Sequence, residues 1–427
     1  VARKIRVPAY LHHKGKDLAY VNFSGHVVYL GAYGSDESKR KYARLLAEWT
    51  ASGGRPPGLA ETVADLVATF WRWAKSRYVG RDGGPSREAA LYKGLATMIL
   101  DLYADVAVEA FGPVQLAAVR EVMIGRGWTR KSINRQVGRV RRIFSWGVAR
   151  GLVAEATAAA LDRLEGLRPG ERSVAEGRRV EALAETTIEA VRPLVSSTVW
   201  AMIDVQRLTG MRSGELVIMR PGDIDRGGDV WGYVPEHHKT EHHGRERFVA
   251  IGPIAQVVLR PFIVRRLAGD YLFSPAESMA EYFRRRAEAR QTPAGYGNGP
   301  GTNRKRRPRN RPGDRFTPDS YRAAIASACD RAWPPPTYLA RVDADRSIAA
   351  WEARLEAAGL LGDLKAWRRA HRWHPHQLRH TFTTRAGDLD IDLEATAAAL
   401  GHASVDMTLL YRHVARQKAV AVAAAIG

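Results

Sequence analysis

One cysteine, Cys329, occurs in 427 residues. A lone thiol excludes an intramolecular disulfide framework and any structural zinc site built on cysteines, so the expected setting is a reducing compartment. No run of about eighteen apolar residues is present, the length a membrane-spanning helix needs. The first residues, Val1-Ala-Arg-Lys-Ile-Arg6, lack the apolar core of a secretion signal. The expectation is a cytoplasmic protein with no membrane partner. Acidic residues are also in short supply: 45 Asp and Glu stand against 66 Lys and Arg, a formal net charge of +21. That excess points to a polyanionic partner, most simply nucleic acid, although a generally basic protein would show it too.

The shortage of acids is complete at residues 126–150, which hold eight basic residues and no acidic one. There Ile133, Val137, Val140 and Phe144 recur at helical spacing as an apolar stripe, while Arg135, Arg139 and Arg142 lie on a different face. With Arg130 and Lys131 in the same segment, this surface is expected to meet DNA phosphates.

Along the chain, residues 1–58 alternate β-like runs with turns. Lys4–Val7, Leu18–Phe23 and His26–Leu30 have strand character, and Gly25 between the last two marks a hairpin. Ser35 is placed to cap a helix from Asp36 to Trp49 whose inner face carries Tyr42, Leu45, Leu46 and Trp49. This small sheet-and-helix module suits either DNA binding or an accessory, dimerising role. Residues 59–168 read as helical throughout, with Val63, Leu66, Val67 and Phe70 on one face. Residues 169–180 are polar and aperiodic, and the main domain boundary is placed there. In the second domain, 181–427, Thr209-Gly210 breaks a helical stretch. Two short strands, Trp231–Val234 and Arg247–Ile251, then flank a polar loop that puts Lys239 near a hairpin tip. Insertions are expected near 277–315 and 331–370. The first carries a Gly/Pro-rich loop running into Arg304-Lys-Arg-Arg307, which would either order on a DNA backbone or remain a solvated insertion; the second carries a helical run from about Arg346 to Ala370. The fold class is mainly α with small β-sheets.

The chemistry concentrates near the end of the chain. Pro375 suits the first position of a helix, from which His376, Arg379 and His380 fall at i, i+3 and i+4 on one face. Leu400-Gly401-His402 and then Tyr411 follow, with Gly401 ending a helix of Asp392 to Leu400 and Ser404 capping the helix that carries the tyrosine. A guanidinium, imidazoles and a phenol are what phosphate chemistry with a tyrosine nucleophile requires.

Together with Thr209-Gly-Met-Arg212-Ser-Gly-Glu215-Leu216 and Lys239-Thr240, these motifs resemble the tyrosine recombinases, or phage integrases, over roughly residues 60–420. The resemblance implies a helical core-binding domain and a mixed, mostly helical catalytic domain that clamp duplex DNA, preceded here by the sheet-and-helix module. It implies Tyr411 as nucleophile forming a 3′-phosphotyrosyl bond, and Arg212 and Arg379 as fixed donors to the phosphate. Lys239 would be the acid for the departing 5′ oxygen, His376 a general base or phosphate donor, and His402 a further donor. Glu215 would orient the cluster. His380 is also characteristic, and core packing explains it equally well.

The family needs no metal or nucleotide cofactor, because the phosphotyrosyl ester conserves the energy of the phosphodiester. His237, His238, His242 and His243 around Lys239 are nonetheless residue types that chelate metals. The apolar tail Ala419–Ile426 either folds back on its own domain or, as in many family members, is exchanged within a homo-tetramer on DNA. The N-terminal module weakly resembles the arm-type DNA-binding modules of mobile-element integrases, implying DNA integration and excision with an accessory directionality factor. Two alternatives stand beside this reading: a type IB topoisomerase-like DNA-relaxing enzyme, and a DNA-binding relative without catalysis.

Overall fold

The computed structural model describes residues 7–23, 26–51, 62–80, 83–171, 174–177, 180–238, 247–293, 296 and 312–401. The chain divides into two compact units, Val1–Arg178 and Arg179–Gly427.

The first unit begins with an antiparallel sheet in the order β1 (Tyr10–His13), β2 (Leu18–Phe23), β3 (His26–Ala32), with Tyr10 opposite Val21 and Phe23 opposite His26. Alternation along β2 turns Ala19, Val21 and Phe23 to one face, where Leu45 and Trp49 of α1 (Asp36–Ala51) cover them. The Ser35 hydroxyl accepts the Ser38 amide at 3.2 Å, fixing the start of α1. β1 lies downstream of the first β-like run, 4–7, which falls outside the described residues apart from Val7.

Five helices follow: α2 (Val63–Arg77), α3 (Arg87–Tyr103), α4 (Pro113–Gly125), α5 (Arg130–Val148) and α6 (Glu155–Leu161). A reciprocal Thr62–Asp65 cap opens α2, with the Thr62 hydroxyl accepting the Asp65 amide at 3.2 Å. Leu66 and Phe70 of α2, Tyr92 of α3 and Ile133, Val140 and Phe144 of α5 form the shared core.

In the second unit, α7 (Glu185–Glu189), α8 (Ser197–Thr209) and α9 (Ser213–Leu216) precede a three-stranded antiparallel sheet, β4 (Ile224–Asp225), β5 (Trp231–Tyr233) and β6 (Val249–Ile251). Then come α10 (Pro253–Ile263), α11 (Pro275–Glu288), α12 (Pro318–Ala332), α13 (Ile348–Ala357), α14 (Leu361–His371), α15 (Pro375–Asp388) and α16 (Leu393–Leu400). The pair α8 and α15 runs through the centre, with Met202, Ile203, Val205 and Leu378 in the core beside Tyr233 and Ile251 of the sheet.

Two features depart from the sequence reading. α11 continues to Glu288, inside the segment expected to be a loop, while most of 294–311 lies outside the described residues. The helical run expected from Arg346 to Ala370 is interrupted at Gly359, whose φ of +72° ends α13. The helices α13 and α14 pack on each other around a satellite core of Leu339, Trp351, Leu355 and Leu364. Among the described residues no helix is long and apolar enough to cross a membrane.

Candidate active site

Two helices end at the site with left-handed glycines. Gly210 (φ +64°) caps α8, and Gly401 (φ +62°) caps α16. Only glycine adopts this conformation without strain, and here the space is restricted as well. A Cβ on Gly210 would lie 2.7 Å from the Phe382 ring and 2.9 Å from Leu400, and one on Gly401 would lie 2.8 Å from Arg247 Nη1.

Arg379 projects from α15 into the gap between these helix ends and is 1% exposed. Its Nη1 donates to the Gly210 carbonyl at 2.8 Å and its Nη2 to the Leu400 carbonyl at 2.6 Å. One planar fork thereby meets two helix-terminal carbonyls that lack intrahelical partners, a geometry an ammonium cannot copy. Two residues beyond Gly210, Arg212 is the N-cap of α9. Its backbone amide donates to Glu215 Oε2 at 2.9 Å and its Nη1 to Oε1 at 2.8 Å, so one carboxylate both caps the short helix and fixes the arginine side chain.

Glu215 is 2% exposed, and the Tyr233 hydroxyl of β5 donates to its backbone carbonyl at 2.7 Å. Burial is the largest influence on its carboxyl and raises it, but Arg247 and Arg212 together hold it below the usual carboxylate range. Glu215 is therefore ionised at neutral pH.

Sequence reasoning did not single out Arg247. It is 3% exposed, with Nε 3.4 Å from Glu215 Oε2 and Nη1 donating to the Phe248 carbonyl at 2.7 Å and the Ala399 carbonyl at 3.0 Å. A signal was available: residues 247–251 alternate buried and exposed, and the phase that buries Val249 and Ile251 also buries Arg247.

Arg212, Glu215, Arg247 and Arg379 thus form a closed circuit through Gly210 and the end of α16. It carries three guanidinium groups against one carboxylate, leaving a local charge of about +2 before any histidine is counted. On α15, one turn before Arg379, His376 is exposed at the surface, its ring 5.3 Å from the His380 ring in an edge-to-face contact at 85°. His380 itself is buried. His374, the N-cap of α15, is held below the usual imidazole range by burial and by Arg322. Lys239, His402 and Tyr411 lie outside the described residues, as do His242 and His243. The strands β5 and β6, which flank the Lys239 segment in sequence, pair with Tyr233 opposite Val249.

In the first unit, Lys131, Arg135 and Arg142 of α5 are exposed. Arg139 instead grips Glu88 of α3 with both prongs, Nε at 2.9 Å and Nη2 at 2.7 Å, and this hydrogen bonding outweighs burial to hold the Glu88 carboxyl below its usual range. Arg130 pairs with Glu176. Arg141 lies 3.5 Å from Asp162, so the segment lacks acids in sequence, yet the fold brings acids to three of its arginines from elsewhere.

Arg379 also lies within a stretch similar to known proteins. Residues 346–418 match the phage integrase family model. The integrase of transposon Tn1549, solved with a circular intermediate DNA, superposes with a TM-score of 0.51 at 14% identity, covering 86% of this chain and all of that one. The chain has the tyrosine recombinase fold. The XerH site-specific recombinase, solved on palindromic difH in a post-cleavage complex, superposes with this recombinase fold at a TM-score of 0.52 and 15% identity, covering 90% of this chain and 88% of XerH. In sequence, the chain is 44% identical over 45 residues to tyrosine recombinase XerC of Haemophilus ducreyi, a match that spans 10% of this chain and 15% of XerC.

Proposed function

We propose that the chain is a site-specific DNA recombinase, an integrase that cleaves and rejoins strands through a 3′-phosphotyrosyl intermediate. The observation that carries this reading is the convergence of Arg212 and Arg379 at the Gly210 turn, with Glu215 fixing one guanidinium and helix-end carbonyls fixing the other. A phosphodiester bears one negative charge, and nucleophilic attack adds another on its non-bridging oxygens. A preorganised cationic pocket favours that state over the ground state.

The Tyr411 oxygen attacks phosphorus as its proton passes to His376. The new P–O bond to tyrosine forms as the P–O5′ bond breaks, and Lys239 gives the departing 5′ oxygen its proton. Arg212, Arg379 and His402 donate to the non-bridging oxygens, and Glu215 orients Arg212. Rejoining reverses each transfer, so neither metal nor nucleotide cofactor enters.

Duplex DNA is the partner, held in part by Lys131, Arg135 and Arg142, with Arg130 and Arg139 bracing the same helix through their acidic partners. The Tn1549 integrase and the XerH recombinase, both solved on DNA, favour the same partner here, and the Tn1549 likeness favours a mobile element. The N-terminal module would bind arm-type sites through the open face of its sheet, where His13, Tyr20 and Tyr29 cluster and Lys16 lies 5.7 Å from the Tyr29 ring centre. Assembly would be a homo-tetramer on DNA with exchange of the 419–426 tail, and an accessory directionality factor would select excision, in the cytoplasm.

A nicked duplex carrying the repeats that flank the gene tests the reading. A covalent protein–DNA adduct that is lost in Tyr411→Phe is expected. No adduct on any flanking repeat would overturn it.

A further inference from the structure

We propose that Arg247 is a positioning residue of this active site, locking Glu215 to the last turn of α16 so that Arg212 is presented in a fixed register beside Arg379. The inference rests on the recombinase reading of Arg212, His402 and Tyr411.

Three observations carry it. The guanidinium, itself buried, touches both Glu215 and the end of α16, through Nε at 3.4 Å and Nη1 at 3.0 Å. Its approach to α16 is close enough to require glycine at 401, since a Cβ there would lie 2.8 Å from Nη1. Finally, Arg247 Nη2 is buried without a hydrogen-bond partner among the described residues. A guanidinium in that situation costs stability, so packing alone is a poor reason for an arginine here.

The ionisable groups around Glu215 are Arg212 at the cap of its own helix, Tyr233 from β5 and Arg247 two residues before β6, with Arg379 of α15 reaching the neighbouring Gly210 turn. Of the charges that keep Glu215 ionised against burial, Arg247 is the largest. Removing it takes away the largest charge that opposes burial, so the carboxyl takes up a proton at higher pH than in the wild type and its hold on Arg212 weakens there.

The test measures adduct formation by the full chain on the nicked duplex from pH 5 to pH 9, with melting temperature measured in parallel. Arg247→Gln is expected to cleave about ten- to a hundredfold more slowly, the range seen when a supporting partner of an active-site ligand is removed. It should also gain an acid limb that disappears in the Arg247→Gln, Glu215→Gln double variant. Arg247→Lys, which keeps the charge but loses the fork, should restore the wild-type pH profile while staying slower. Folded Arg247→Gln with the wild-type rate and profile would overturn the proposal. Should Arg247→Gln not fold, Arg247→Lys decides: full wild-type rate overturns the proposal, and a slower rate with an unchanged profile supports it. Adduct formation by the wild type separates failure of this inference from failure of the recombinase reading, which would show as no adduct at all.

Discussion

Replacing Arg379 by lysine separates its structural role from its chemical one. In the folded chain its two terminal nitrogens donate to the Gly210 and Leu400 carbonyls, and the side chain is 1% exposed. A hydrogen bond from a charged donor contributes about 1.5–3 kcal/mol, and leaving its buried acceptor bare costs about the same. A lysine can reach one of the two carbonyls, so Arg379→Lys should lose about 2 kcal/mol and Arg379→Met about 4 kcal/mol. At roughly 2–4 °C per kcal/mol for a unit of this size, the lysine variant should melt about 4–8 °C lower and the methionine variant about twice as far down. Differential scanning calorimetry without DNA reads these shifts directly. A lysine variant melting within about 1 °C of the wild type would refute the idea that the carbonyl bonds hold the two helix ends together. It would leave phosphate recognition as the reason for the guanidinium.

Gly401→Ala should lose about 1–2 kcal/mol for the left-handed backbone alone, and more from the collision with Arg247; chemical denaturation checks this. Glu215 has a depressed pKa, so its contribution to stability is fully present above the ordinary carboxylate range and is lost as pH falls through the folded value. Stability curves from pH 7 to pH 3 should therefore be flatter in Glu215→Gln than in the wild type. Arg135→Ala should lower the slope of log affinity against log salt by about 0.9, the effect of one phosphate contact. Arg139→Ala should leave that slope unchanged while lowering stability, because its fork is occupied by Glu88; equal slopes for the two variants would contradict this division of roles.

How much was legible in the sequence depended on how far each interaction reached. The Arg212–Glu215 pair sits at i, i+3, where helix geometry alone brings side chains together, and the structure closes it at 2.8 Å. Pro375 opening α15 and Gly401 closing α16 were readable for the same local reason. The use of Arg379 was not, since its acceptors are the ends of two other helices, and nothing in the spacing says that these ends meet. Arg139 shows the same limit from the opposite side: its face looked free of acids because Glu88 is 51 residues away in sequence. Arg247 was legible in principle from strand phase, yet an arginine on the inward side of a short strand reads as an edge residue until its carboxylate partner is located.

The circuit around Gly401 also has a mechanical consequence. Carbonyls of the last two residues of α16 are each held by an arginine from a different element, Ala399 by Arg247 and Leu400 by Arg379. The chain beyond Gly401 therefore departs from a clamped root. That root is a point anchored to the same scaffold that fixes Arg212 and Arg379.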